Sequence, residues 1–158
     1  MFRFYQTIVI LILWSGSLFT SCDFIAAGSN LMAERYEFDV TRDSLIKKIT
    51  AYNNMTLQDS LFKIGTDSPY FYKGYVNDEK NNDIYWVLIP VPADSPTELL
   101  LLSVENKQSG ERKHVNNKPE NEAEIRDRKI AIENFKNRVL DNLGLRYKHT
   151  GNAMNKVY

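Results

Sequence analysis

The residues of this chain whose types are suited to chemistry are few: one cysteine, Cys22, two histidines, His114 and His149, and the oxygen-rich run "NDEKNND" at residues 77–83. A histidine can act as general base or metal ligand near neutral pH. His114, however, sits in the charged stretch "GERKHVNN" and His149 in a polar C-terminal segment, and both read as solvated surface residues. The run at 77–83 supplies several oxygen atoms but lacks the D-x-[DN]-x-[DN]-G order of a calcium loop, and Asn and Asp are also what turns use for local hydrogen bonds. A plain turn is the expectation. Asp78, Glu79 and Asp83 make a poor catalytic pair, because acid-base carboxylates need a desolvated pocket and a hairpin tip is wet. The chain has no GxSxG, HExxH, GxxxxGK[ST] or CxxC, the spacings that would build a nucleophile elbow, a zinc site, a phosphate cradle or a redox pair. The reading is of a non-enzymatic protein with no catalytic residue, no metal and no cofactor assigned.

Cys22 differs from the histidines in its setting. It follows "MFRFYQTIVILILWSGSLFTS", with Arg3 as the only basic residue, an unbroken apolar run over residues 8–14, and then small and polar residues. That is the layout of a secretory signal, and its apolar core is shorter than the roughly 20 residues that span a bilayer. The stretch Phe19, Thr20, Ser21, Cys22 resembles the lipobox of bacterial lipoproteins. The resemblance covers residues 1–22 only and implies that Cys22 becomes the acylated N-terminus of the mature chain, lipid-anchored to a bacterial membrane with its domain outside the cytoplasm. Two other readings stand beside it: ordinary cleavage near Ala26 or Ala27, and an uncleaved membrane anchor. The lipoprotein reading divides the chain into a signal peptide at 1–21, a tether at 22–34, a domain at 35–145 and a flexible tail at 146–158. The dozen residues of the tether reach at most about 40 Å, so a partner should lie in the same membrane or layer.

Removing the 21-residue signal leaves 137 of the 158 residues, none of them cysteine, and takes the formal charge from zero to minus one with the loss of Arg3. The length suits one domain that depends on its apolar core rather than on disulfides. A charge this near neutral argues against nucleic acid and against a polybasic membrane surface.

The elements that must position any site follow from periodicity. Tyr36, Phe38 and Val40 alternate with charged residues, as in a short strand. Thr41 is placed to cap a helix with Asp43 in its first turn; Leu45, Ile46, Ile49 and Tyr52 share one side, Lys47, Lys48 and Thr50 the other, and Asn53 and Asn54 end it. Residues 56–64 are ambiguous between helical turns and extended chain. "YFYKGYV" and "IYWVLIPV" around the polar run at 77–83 give a hairpin signal, "TELLLLSVEN" a third strand after Pro92 and Pro96, and "KQSGERKHV" a turn at Gly110 with a fourth, exposed strand. Pro119 opens the last element, in which Ile125, Ile132, Phe135, Val139 and Leu143 recur at helical spacing up to a Gly144 cap. The expected fold is α+β: a two-layer sandwich of a three- or four-stranded antiparallel meander flanked by an N-terminal and a longer C-terminal helix, with one sheet face covered and the other available.

The aromatic residues of the hairpin are the candidate interaction surface: Tyr70, Tyr72, Tyr75, Tyr85 and Trp86. Strand alternation sends part of such a set to each face, some to the core and some to solvent, where Tyr and Trp are enriched at protein interfaces. Cross-strand aromatic pairs that stiffen the sheet are the plainer reading. The function expected is therefore a membrane-anchored envelope lipoprotein that binds another envelope protein, as an assembly subunit or as a neutraliser of a toxin or enzyme. The acidic residues at 78–83 and 120–124 could supply part of its surface. An envelope-polymer enzyme would need a polar cleft. A lipid or small-ligand carrier would need an apolar pocket, for which the four leucines at 99–102 are the one hint, and a strand buried on both faces explains them equally well.

Overall fold

The computed structural model describes residues 30–54, 63–65, 68–91 and 96–152. The signal segment, the lipobox with Cys22, most of the tether and most of the ambiguous stretch at 56–64 lie outside the described residues, as do Pro92 and the last six residues. Among the described residues there are seven strands and two α-helices: β1 (Glu34–Phe38), α1 (Arg42–Tyr52), β2 (Lys63–Gly65), β3 (Ser68–Asp78), β4 (Asp83–Pro90), β5 (Thr97–Asn106), β6 (Arg112–His114), α2 (Glu122–Asn134) and β7 (Tyr147–Gly151). Between α2 and β7 the chain makes one π turn (Phe135–Val139) and one 3-10 turn (Leu140–Leu143).

The strands build one antiparallel sheet in the order β2-β3-β4-β5-β1-β7. The expected meander is its centre. β5 is long enough to take two neighbours along one edge: its first half pairs with β1, Leu99 opposite Tyr36, and its second half with β6, Ser103 opposite His114. The sheet is wider than the meander because β1 inserts beside β5 and carries β7 at the border, while β2 extends the other end. Residues 147–151 thus form a strand where a frayed tail was expected. Their largely polar character suits an edge strand, which pairs with β1 on one side and buries little beyond Tyr147 against the core.

Both helices pack on one face. Tyr36, Phe38, Val76, Tyr85, Val87, Ile89, Leu99 and Leu101 point up from the strands and meet Leu45 and Ile49 of α1 and Phe135, Val139, Leu140 and Leu143 of the last turns. The result is an α+β two-layer sandwich. α1 starts and stops where local chemistry predicts. The Thr41 hydroxyl accepts from the Ser44 amide, satisfying one of the free donors of the first turn, and Asn54 takes φ 55° beyond the end. Asn53 does more than terminate the helix. Its side-chain amide donates to the Tyr75 carbonyl at 2.9 Å and accepts from the Asn77 amide at 2.8 Å, so it supplies β3 with the pairing that the short β2 cannot reach. Thr50, expected on the wet side, is buried.

The second helix departs further from its pattern. Asn121 caps it, accepting from the Glu124 amide and donating from its side-chain nitrogen to the Glu124 carboxylate, which also accepts from the Glu120 amide just before the cap. The apolar repeat then buries only its later members: Phe135 and Val139 are fully enclosed, whereas Ile125 remains 55% exposed. The single π turn re-phases the chain between α2 and the 3-10 turn, and the first half of α2 meets the sheet through ion pairs, Asp127 with Lys113 and Arg128 with Glu34, more than through apolar burial. Gly144 follows at φ 66°, the left-handed cap that was expected. Among the described residues no helix is long and apolar enough to cross a membrane.

Candidate functional site

Alternation divides the aromatic set. Tyr85 points to the helix side and is fully buried against Phe135, ring centroids 5.0 Å apart; it belongs to the core and not to a surface. Tyr72 is on the same side, half-buried, with the Arg42 guanidinium 4.9 Å above its ring. Tyr70, near the start of β3, is 59% exposed. Tyr75 and Trp86 point to the opposite face, directly across from one another, in an edge-to-face contact at 5.6 Å.

On that face Trp86 is held by more than Tyr75. Its indole N–H donates to the Glu105 carboxylate at 2.9 Å, and the Arg112 guanidinium lies 4.8 Å from its ring centre. Arg112 in turn donates to the same Glu105 carboxylate through Nε at 3.0 Å and through a second nitrogen. Hydrogen bonds from Arg112 and then from Trp86 lower the Glu105 pKa. The four residues come from β3, β4, β5 and β6, and all stay partly or largely accessible. Sequence reasoning named Tyr75 and Trp86 and missed Arg112 and Glu105. The register that brings them together includes a bulge at Leu102, where Trp86 pairs with Ser103 and Val87 with Leu101.

Farther along the same face, Ala33, Leu88 and Leu100 form a second buried apolar group with Phe71 and Leu102 packed against it. Leu99 and Leu101 belong to the main core, so β5 is buried on both faces across these leucines, which accounts for the four in a row.

On the helix side a charged cluster joins the border strands to α2. Glu34 of β1 is nearly buried; its carboxylate accepts from Arg128 of α2 at 3.2 Å and lies 3.2 Å from Nε2 of His149 on β7. Arg128 also donates to the Met32 carbonyl at 2.8 Å. Burial pushes the Glu34 carboxyl up, but the His149 hydrogen bond and the Arg128 charge outweigh it, and the net shift is downward. His149, expected as a solvated residue of a frayed tail, does stay exposed, but it sits on β7 and stacks one ring face on Tyr36 with centroids 4.9 Å apart. Beside this cluster a groove runs between α2 and the β7 border.

The other sequence candidates have structural roles. β3 runs on through Asp78, and the Asp78 carboxylate accepts from the backbone and side-chain nitrogens of Asn81, closing the turn that Asn82 completes at φ 56°. Asp83 faces Arg138 at 3.7 Å. His114 is exposed on β6. Among the described residues no three His, Cys, Asp or Glu side chains are grouped to hold a metal ion. No protein-family model, no curated protein and no solved structure matches this chain.

Proposed function

We propose that the chain is an envelope lipoprotein, anchored through Cys22 to a bacterial membrane, whose domain binds another envelope protein without catalysis. The observation that carries this reading is the Tyr75–Trp86–Arg112–Glu105 array on the sheet face away from the helices. Tyr, Trp and Arg are the residue types that dominate interface energetics. Here the array comes from four neighbouring strands; Trp86 is fixed by three partners, and Arg112 and Glu105 by two each. Such preorganisation lowers the ordering cost of binding.

The test is affinity capture of the tagged, full-length chain from detergent-solubilised envelopes of its own host, with mass spectrometry of what co-elutes. One near-stoichiometric protein should be captured and should be lost with the Trp86→Ala/Arg112→Ala double variant, provided that variant melts cooperatively. A solitary chain, or capture indifferent to the double variant, rejects the aromatic surface. The anchor is tested separately: Cys22→Ala should migrate as the larger, unprocessed form that still carries its apolar signal segment, and membrane retention at the mature size would reject lipidation.

A further inference from the structure

Between α2 and the β5–β6 hairpin, on the helix side of the sheet, lies an open groove of about 300 Å³. Tyr85 lines it from within. That side chain is fully buried, and its hydroxyl has no hydrogen-bond partner among the described residues. After burial, the charge of Asp83 does most to raise the pKa of this phenol, and Asp83 lines the same groove, so the unmet hydroxyl lies toward it. A buried hydroxyl left unpaired is a cost to the free fold and a bond on offer to a ligand.

The charged groups of the groove are already matched with one another. Lys113 lies 3.0 Å from Asp127 and 3.8 Å from Glu111, and Asp83 accepts from the Asn106 amide at 3.2 Å and faces Arg138 at 3.7 Å. The ammonium of Lys113 thus fills the place that a cationic ligand would seek. What remains is hydrogen-bonding capacity. Asp127 and Glu111 each meet Lys113 through one oxygen and keep the other. The Asn134 side chain makes no hydrogen bond or ion pair among the described residues and can both donate and accept. Beside these groups Ile130, 50% exposed, gives the groove an aliphatic wall.

We propose that this groove binds a neutral polyhydroxylated ligand, a sugar or one sugar unit of a glycan. A hydroxyl both donates and accepts, so neighbouring hydroxyls of one ring can meet the carboxylates, the Asn134 amide and the Tyr85 phenol together, while the C–H face of the ring packs on Ile130. Other ligand classes fit less well. A nucleobase would find no exposed ring to stack on among the lining residues, and a hydrocarbon would leave the polar groups unpaired. The volume is at the small end for a ligand site, which suits a single ring.

The groove and the Tyr75–Trp86 pair lie on opposite faces of the sheet, so this site and the protein-binding surface can fail separately. The probes are glucose, galactose, mannose and N-acetylglucosamine at millimolar concentration, added to the full-length chain in deuterated detergent micelles with empty micelles as the blank. Saturation-transfer difference NMR reads the binding. At least one sugar should receive saturation at its ring C–H protons, and its affinity should fall about fivefold with Tyr85→Phe and with Asn134→Ala, the order of one hydrogen bond each. Tyr85→Phe should at the same time raise the melting temperature, and binding lost while stability is gained separates ligand contact from a weakened fold. The Trp86→Ala/Arg112→Ala variant should bind the sugar as the parent does. Oligomers of the bound sugar that bind more tightly than the monomer identify a glycan as the source, and equal affinity a free sugar; both results uphold the proposal. No saturation of any of the probes, saturation indifferent to both Tyr85→Phe and Asn134→Ala, or tighter binding of the cation n-butylammonium than of every sugar would overturn it.

Discussion

Glu34 of β1 and Arg128 of α2 form an ion pair at 3.2 Å with only 9% and 11% of their side chains accessible. It joins β1 to the first half of α2, and His149 and Asn152 approach the same carboxylate from β7 and just beyond it. Arg128→Ala leaves a nearly buried carboxylate without its cation, a change that costs about 3 kcal/mol. Chemical denaturation of the single variant measures it, and an effect within noise would show the pair to be solvated.

The same cluster makes part of the protein's stability acid-sensitive. The Glu34 pKa is lowered in the fold from its ordinary 4.5, with burial opposing and His149 and Arg128 prevailing. A depressed carboxyl contributes stability that is present above the unfolded value and lost as pH falls through the folded one. The melting temperature should therefore decline below about pH 4.5, and Glu34→Gln should decline less steeply over that window. Parallel curves for the two proteins would remove Glu34 from the acid response.

At the alkaline end the tyrosines take over. Burial, then the nearby Glu34, pushes the Tyr36 phenol well above its ordinary value; burial, then Asp83 and Asp78, does the same to Tyr85; burial and the hydrogen bond to Asp141 push Tyr147 up to about 12. The fold thus favours the neutral phenols, and the stability they contribute is complete below pH 10 and erodes as pH rises beyond that value. Ultraviolet titration should show these three ionising together with unfolding. Among the described residues the buried Tyr85 hydroxyl finds no hydrogen-bond partner, so Tyr85→Phe should be stabilising by about 1 kcal/mol, the low end of the cost of an unmet polar group.

Two residues of one apolar repeat should respond very differently. Phe135 is fully buried among Tyr36 and Tyr85, and Phe135→Ala should cost about 3–5 kcal/mol. Ile125 is mostly exposed, and Ile125→Ser should change stability by less than about 0.5 kcal/mol. Comparable losses at both positions would place α2 flat on the sheet.

Gly144 turns the chain from the 3-10 turn toward β7 at φ 66°. Nothing lies within 4 Å of where a Cβ would stand, so Gly144→Ala should cost about 1 kcal/mol through backbone strain alone, and Gly144→Asn should recover part of it. A fully neutral alanine would indicate that the turn relaxes.

Local signals were legible where chemistry and structure lie close in sequence. Thr41 caps α1, Asn54 and Gly144 take the left-handed conformations that end their elements, and the turn at 77–83 joins β3 to β4 because Asp and Asn can close it with their own side chains. The aromatic strands were visible from alternation, and alternation also required that they divide. Which member went inward was not visible. Tyr75 and Tyr85 have like composition around them, and only the pairing register places one opposite Trp86 and the other under Phe135.

The sequence by itself determined the α+β class, the meander and the two helices, because each depends on a short-range period or cap that one segment carries alone. It also bears the lipobox resemblance, a linear signal that needs no fold. The tertiary structure decided the rest. Arg112 meets Trp86 and Glu105 through a bulged ladder; Glu34 meets Arg128 and His149 across 94 and 115 positions; and a polar C-terminal stretch becomes the border strand β7 because backbone pairing to β1 asks little of its side chains. Such contacts join residues whose local sequence is ordinary. Their chemistry comes from burial and proximity, and both are properties of the folded chain.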